Sequence, residues 1–350
     1  MFDQLNDVPR LLMHADLKPV QGDRFQPTGF ADLGAAVYER PDGKRMLLVE
    51  SAQSMANRFE HTCLDGDGPD IAPELRGVPY VLARLLGSAA GKTGDRAIDT
   101  KTSSLVEAHR LNSPFIISNE SFRRQFIERA AYSVGKPIDW GRVASAVFFF
   151  DPNALLHGVF MANLEDGRIK IPRMLSSFIE AEDAREVLSG GVKNNPIDPT
   201  GTIRSINLYD KDVYSNVPYH RTEFTAARTI AYFNLDLALL RGYGLGSSPT
   251  ELLIALALYK IRRLLFGGLR LRTACDLTLQ NELVIDNPTA FVMPPAEALL
   301  DAIRKNIDEC SRQGLFANPP VTELTTEVKT KNKAMTKQAV EELADEADEE

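Results

Sequence analysis

Cysteine is scarce in this chain of 350 residues. The three present, Cys63, Cys275 and Cys310, are odd in number and far apart, which argues against a disulfide framework or a four-ligand zinc site. Reduced thiols in a cytoplasmic protein are the expectation. Long apolar runs are also missing: none approaches the roughly 18 residues a membrane-spanning helix needs. The best candidate, residues 252–266, is broken by Tyr259, Lys260, Arg262 and Arg263, so no membrane association is expected. The first ten residues, MFDQLNDVPR, lack the basic start and apolar stretch of a secretory signal. Histidine is sparse as well. His14, His61, His109, His157 and His220 share no metal-ligand spacing, and neither H-x-x-x-H nor C-x-x-C occurs. No metal and no cofactor are therefore expected.

What is present is an ordinary globular composition, 44% hydrophobic and 25% charged, enough for one large domain with a sizeable core. The net charge of −8 is concentrated at one end. Residues 341–350, EELADEADEE, hold seven acidic groups and no basic one, so residues 1–340 carry only −1. Of the basic residues 26 are Arg and 14 are Lys. Arginine favours bidentate phosphate contacts, although codon usage would give the same bias.

Residues 10–20 alternate, with Leu11, Met13, Ala15 and Leu17 on one face, and read as a half-buried strand. A hairpin over 35–50 turns at Pro41-Asp42-Gly43. Ser51 then caps a helix to about 64, with Ala52, Met55, Ala56, Phe59 and Cys63 on its apolar stripe. Further strands are expected at 78–86, 146–150, 155–164 and 173–181, and helices at 119–134, 250–266 and 295–312. Residues 87–104 read as a loop or a protruding arm, 189–218 as a loop-rich insertion, and everything from 318 onward as a disordered charged tail. The interleaving predicts an α+β fold built as a single domain over 1–317, with a ferredoxin-like split βαβ core.

Motifs of nucleotide chemistry fail on inspection. Gly87-Ser88-Ala89-Ala90-Gly91-Lys92-Thr93 has one residue too few between its glycines for a phosphate loop. By contrast, the helix face Ser54, Asn57, Arg58 and His61 is unusually rich in hydrogen-bond donors. The glycine loop 241–246 before a helix, the string Gly190-Gly191-Val192-Lys193-Asn194 and the pair Arg270/Arg272 have the same polyanion-binding character. His109 beside Arg110 and His220 beside Arg221 suit either phosphate contact or RNA cleavage by general acid–base transfer. An RNA-processing endonuclease is thus the alternative to a binding protein.

Six strings occur in order: QPTGFADLGAAVY (26–38), LVESAQSMANRFE (48–60), TSSLVEAHRLNSPF (102–115), GGVKNN (190–195), HRTEFTA (220–226) and LRLRTACDL (269–277). Together they resemble the RAMP-type backbone subunit of the type I-G (formerly I-U) CRISPR surveillance complex, Cascade, over about residues 10–285. The resemblance implies a ferredoxin-like, RNA-recognition-motif palm with inserted finger and thumb. It implies a non-catalytic subunit whose copies polymerise head-to-tail along crRNA and leave spacer bases free to pair with target DNA. Its other implied partners are a large subunit, a guide-processing subunit and a recruited helicase-nuclease. A scaffold blind to base identity needs donors to phosphates and 2′-hydroxyls. Those contacts are expected from Gln53, Ser54, Asn57 and Arg58, from Lys193 and Asn194, and from Arg221, Arg270 and Arg272. The thumb is expected over 87–113, gripping RNA through Thr102, Ser103, Ser104, His109 and Arg110.

Overall fold

The computed structural model describes residues 1–30, 33–66, 68–91, 94–194, 196 and 216–329. Strand β1 (Arg10–Pro19) buries Leu11, Met13, Ala15 and Leu17, as its alternation requires. Two small hairpins follow, β2 (Gly29–Phe30) with β3 (Gly34–Ala35), and β4 (Val37–Glu39) with β5 (Arg45–Glu50). Helix α1 (Ala52–His61) starts where the Ser51 hydroxyl accepts from the Ser54 amide at 3.2 Å, and it buries Met55, Ala56 and Phe59. Strands β6 (Tyr80–Gly91) and β7 (Gly94–Ser103) form a long hairpin. Four helices then run in succession: α2 (Pro114–Ile117), α3 (Glu120–Ala130), α4 (Trp140–Phe150) and α5 (Pro152–His157). Side chains of Ser113, Asn119, Asp139 and Asp151 cap their N-termini.

A short pair, β8 (Val159–Phe160) and β9 (Lys170–Ile171), leads to β10 (Leu175–Glu182). Strands β11 (Arg185–Asn194) and β12 (Asn216–Thr225) make a projecting hairpin, and β13 (Arg228–Asp236) returns beside β10. Helices α6 (Leu237–Gly242) and α7 (Ser247–Phe266) precede β14 (Leu269–Arg272), β15 (Cys275–Leu279) and β16 (Val284–Asn287). Helix α8 (Ala296–Arg312) buries Leu299, Ile303, Ile307 and Cys310, and β17 (Val321–Lys329) closes the described chain.

The main sheet runs β14-β15-β1-β13-β10-β5-β4, with β16 also on β1. Its four middle strands stand in the order β15-β1-β13-β10, every neighbour antiparallel. Helix α1 lies between β1 and β10 in the chain, and α7 between β13 and β15. That is the β-α-β-β-α-β arrangement of a ferredoxin-like unit, and the expected α+β class holds. Both helices cover one face of the sheet, with α1 packed on β10 and α7. The hairpin β11–β12 is an extension of the β10–β13 connection, and β4–β5 is added at the edge.

Several expectations need correction. Residues 146–150 are the last turns of α4 rather than a strand, and 155–157 belong to α5. Both stretches are apolar on all sides because the helices are buried, and a short buried helix has no readable period. Residues 87–91 and 94–103 belong to the paired strands of the β6–β7 hairpin, which is the arm of the two readings and not the loop. The expected tail from 318 is also wrong in its first part: β17 pairs in parallel with β6, Val321 opposite Tyr80 through Lys329 opposite Ser88. Gly87 is required by that pairing, since a Cβ there would overlap the Val328 carbonyl oxygen. It serves strand packing, and Gly91 continues the strand, so no phosphate loop exists up to that point. Lys92, Thr93, residues 197–215 and the acidic run 341–350 lie outside the described residues.

Candidate nucleic-acid interface

Four neighbouring positions of α1 line one groove of about 630 Å³: Ser54, Asn57, Arg58 and His61. Its opposite wall is the end of α7 and the start of β14, through Arg263, Gly267, Gly268 and Arg270. The donor-rich helix face and Arg270, more than 200 residues apart in the chain, therefore meet because α1 packs on α7. Asn57, His61 and Arg270 are exposed, as is Gln53 one turn before Asn57. Arg263 pairs with Glu74 at 3.2 Å, whereas Arg270 has no ion-pair partner among the described residues.

Beneath the groove sits Glu50, fully buried at the end of β5. Its carboxylate accepts from the Ser54 hydroxyl, from Arg58 Nε at 3.0 Å and from Arg272 Nη2. Arg58 Nη2 also donates to the Leu271 carbonyl at 2.6 Å, and Arg272 Nη1 to the Gln26 carbonyl at 2.9 Å. One acid thus ties β5, α1 and β14 together and fixes both guanidinium planes. About a quarter of each arginine side chain remains accessible. Arg272 is accordingly a brace for the groove, while Arg58 both braces it and lines it.

Other expected contacts lie elsewhere. Thr102, Ser103 and Ser104 are buried at the end of β7; Thr102 donates to Glu107 and the Ser104 hydroxyl accepts from the Val81 amide at 3.2 Å. Thr102 and Ser104 stitch the hairpin to its surroundings, the Ser103 hydroxyl is buried without a hydrogen-bond partner among the described residues, and none of the three side chains is presented at the surface. Arg110 is also buried, gripping Glu60 bidentately at 2.6 and 2.8 Å and donating to the Gly158 carbonyl at 3.1 Å. Its role as a thumb contact is withdrawn for the same reason: all its charge is answered internally. His109, next to it, is exposed. Arg221 and His220 stand on β12, where Arg221 pairs with buried Glu223 at 2.8 Å. Lys193 and Asn194 occupy the far end of β11, opposite Val217 and Asn216. His109 and His220 therefore sit on separate elements. Arg241, at the head of the expected glycine loop, donates to the carbonyls of Leu5 and Val8 and anchors the N-terminal segment.

Sequence reasoning missed Arg263 and the Gly267-Gly268 turn. The signal was there: a basic pair at the end of an apolar helix, then two glycines, then Arg270. Glu60 belongs to a buried polar cluster with Lys260, His157 and Asp151. Burial pushes the Glu60 carboxyl up, opposed by Arg110, and pushes Asp151 up to about 6. All three cysteines are free and buried, and burial raises Cys275 to about 11 and Cys310 to about 12, so neither is a reactive thiolate. Among the described residues no group of His, Cys, Asp and Glu could hold a metal ion, and no helix is long and apolar enough to cross a membrane.

The family model described as CRISPR-associated protein GSU0053 matches residues 11–186, half of the chain. The chain belongs to this CRISPR-associated family. No curated protein matches it. Among solved structures, it is similar to a chain of a CRISPR RNA-guided surveillance complex in a pre-nicking state. Identity there is 13%, 87% of this chain and 89% of that one are covered, and the TM-score is 0.38. It is also similar to Csc2 of Thermofilum pendens, at 11% identity over 89% of this chain and 79% of that one, TM-score 0.30. A second CRISPR RNA-guided surveillance complex gives 13% identity over 87% and 88%, TM-score 0.32.

Proposed function

We propose that the chain is a non-catalytic, crRNA-binding backbone subunit of a type I-G CRISPR surveillance complex. One observation beyond family membership carries this reading: the groove that joins the α1 donor face to Arg263 and Arg270. Its donors are of the kinds that hold phosphates and 2′-hydroxyls without regard to base. Arg58, pinned by Glu50, gives a fixed charge; Arg270, without an ion-pair partner among the described residues, gives a free one. The C-terminal end of α7 adds carbonyl acceptors suited to 2′-hydroxyls. In this reading Gln53 and Asn57 extend the contact along α1, and the β11–β12 hairpin with Lys193, Asn194 and Arg221 reaches a neighbouring stretch of guide.

Copies of the chain would stand head-to-tail on crRNA in the cytoplasm, with spacer bases turned to target DNA. A large subunit, a guide-processing subunit and a helicase-nuclease would complete the apparatus. The near-neutral body suits such an array, because strongly cationic protomers would repel one another. Purification from cells carrying a CRISPR array, followed by sequencing of the bound nucleic acid, tests the proposal. Intact guides of mixed spacer and common repeat are expected. Material free of RNA, when purified with its companion subunits, would overturn it.

A further inference from the structure

Two arginines share one acid beneath the α1 groove. Glu50 is 0% exposed, and among the described residues its carboxylate is the only one within ion-pair distance of either Arg58 or Arg272. A guanidinium keeps its proton in a protein. One negative charge thus stands against two positive ones, and one positive charge is left over. Nothing beside the triad absorbs it. The residues lining the groove include no acid, and the Cys275 thiol facing Arg272 is pushed up to about 11 by burial and stays uncharged. Arg263, on the far wall, already has Glu74.

The hydrogen bonds show which guanidinium presents that charge. Arg272 uses Nη1 on the Gln26 and Val49 carbonyls, at 2.9 and 3.3 Å, and Nη2 on Glu50, and its side chain does not line the groove. Arg58 uses Nε on Glu50 and Nη2 on the Leu271 carbonyl, at 3.0 and 2.6 Å. Its Nη1 has no partner among the described residues and is not sealed from solvent. The carboxylate is divided between the two, Oε1 to Arg58 and Oε2 to Arg272. About a quarter of each arginine side chain is accessible, so these charges are screened less than at an open surface.

We propose that Arg272 is a positioning residue for guide binding: by holding one oxygen of Glu50 it frees the charge of Arg58 for a phosphate at Nη1, without touching the RNA itself. The inference rests on the reading of the α1 groove as the guide-binding surface. Were Arg58 alone with Glu50, the pair would be neutral, and a phosphate arriving at Nη1 would meet the full repulsion of the acid. With Arg272 on the other oxygen, the phosphate takes the place of a missing second acid. The guanidinium that receives it is already fixed by Glu50 and Leu271, so little side-chain freedom is lost on binding.

The test reads the sum of charges, using the full-length protein and a single-stranded oligouridine titrated over a range of salt concentrations. Arg272→Gln keeps an amide donor for Glu50 or the carbonyls but takes the triad to zero. Affinity should fall about tenfold, and the slope of log affinity against log salt should flatten by about 0.7, the value of one phosphate contact. Glu50→Gln takes the triad to two positive charges, and the slope should steepen by about as much. Combining the two changes restores one positive charge, and slope and affinity should return to wild type. A merely structural role for Arg272 gives the reverse, since the double variant lacks both halves of the brace and would bind worst. Urea midpoints identify any variant that has lost its fold, and either single variant decides without the other. A wild-type slope in folded Arg272→Gln or in folded Glu50→Gln overturns the proposal, as does a double variant that binds more weakly than Arg272→Gln. Loss of binding with Arg58→Ala and Arg270→Ala but not with Arg272→Gln sinks the role of Arg272 and spares the groove. An oligomer indifferent to all three lies outside the groove altogether.

Discussion

Arg58 and Arg110 invite comparison, because each meets a buried glutamate and each has polar residues around it in the sequence. Glu50 holds Arg58 with a quarter of its side chain still open to the groove; Glu60 holds Arg110 with 11% accessible and both faces of the fork used. The sequence shows the same residue types in both places. The difference lies in what is left after the internal partners are counted. A guanidinium has five donors, and Arg110 spends its reachable ones on Glu60 and Gly158. Arg58 ends its hydrogen bonding at Glu50 and Leu271 and still forms a groove wall. An ion pair therefore does not separate structure from function here; residual exposure does.

The sharpest way to break that comparison is to remove Arg110. Glu60 would then be left as a buried charge without its bidentate partner, and such losses cost about 3–5 kcal/mol. Arg110→Ala is expected to lower the urea midpoint accordingly, whereas an exposed arginine such as Arg270 should change it little. A midpoint for Arg110→Ala that matches wild type would mean the pair is not sealed.

Next in size is a pH effect within the same buried cluster. The Asp151 carboxyl is pushed from 3.8 to about 6 by burial, so the folded chain holds its proton where the unfolded chain has lost it. Its contribution to stability is largest below pH 4, falls as pH rises to about 6, and is then constant. Two units correspond to about 3 kcal/mol, an order-of-magnitude figure. Asp151→Asn retains a side-chain oxygen for the Asn153 amide, which Asp151 now bonds at 3.0 Å. The stability of this variant relative to wild type should rise by about that amount between pH 4 and pH 7. A flat difference would show that Lys260 compensates the charge. His157 works in the opposite direction: its lowered affinity for protons adds stability above its unfolded value, and that stability is lost as pH falls.

Much of the ferredoxin-like unit was legible because its signals are local. The alternation of 11–17, the Ser51 cap and the Leu299–Ile303–Ile307–Cys310 stripe all survive in the fold. The order of strands in the sheet depends on long-range pairing that no window of sequence carries. Helices α4 and α5 were hidden by uniform apolarity, although Asp139, and Asp151 followed by Pro152, stood at their starts as caps. Strand β17 was overlooked because its Thr and Glu residues sit next to a strongly charged run; its alternation shows in buried Thr326, whose hydroxyl donates to the Phe115 carbonyl at 2.8 Å. For the interface, the α1 face was readable as a helix with too many donors. That Thr102, Ser103, Ser104 and Arg110 point their chemistry inward was not, since Ser, Thr and Arg serve equally to satisfy a buried backbone and to hold a phosphate.

The smallest expected effect is also the one that bears most directly on function. Arg270→Ala removes an exposed side chain with no ion-pair partner among the described residues, so stability should move by no more than about 0.5 kcal/mol. If Arg270 neutralises one phosphate, the slope of log affinity against log salt for a single strand should flatten by about 0.7, equally for unrelated spacers. Arg58→Ala should show a similar change in slope together with a loss of stability, because Glu50 then keeps only Arg272 and the Ser54 hydroxyl. The pair of variants separates the two jobs of the groove: Arg270 reports contact alone, and Arg58 reports contact plus bracing. A spacer-dependent loss in either would mean that bases are being read, and an unchanged slope in both would place the guide on another face of the molecule.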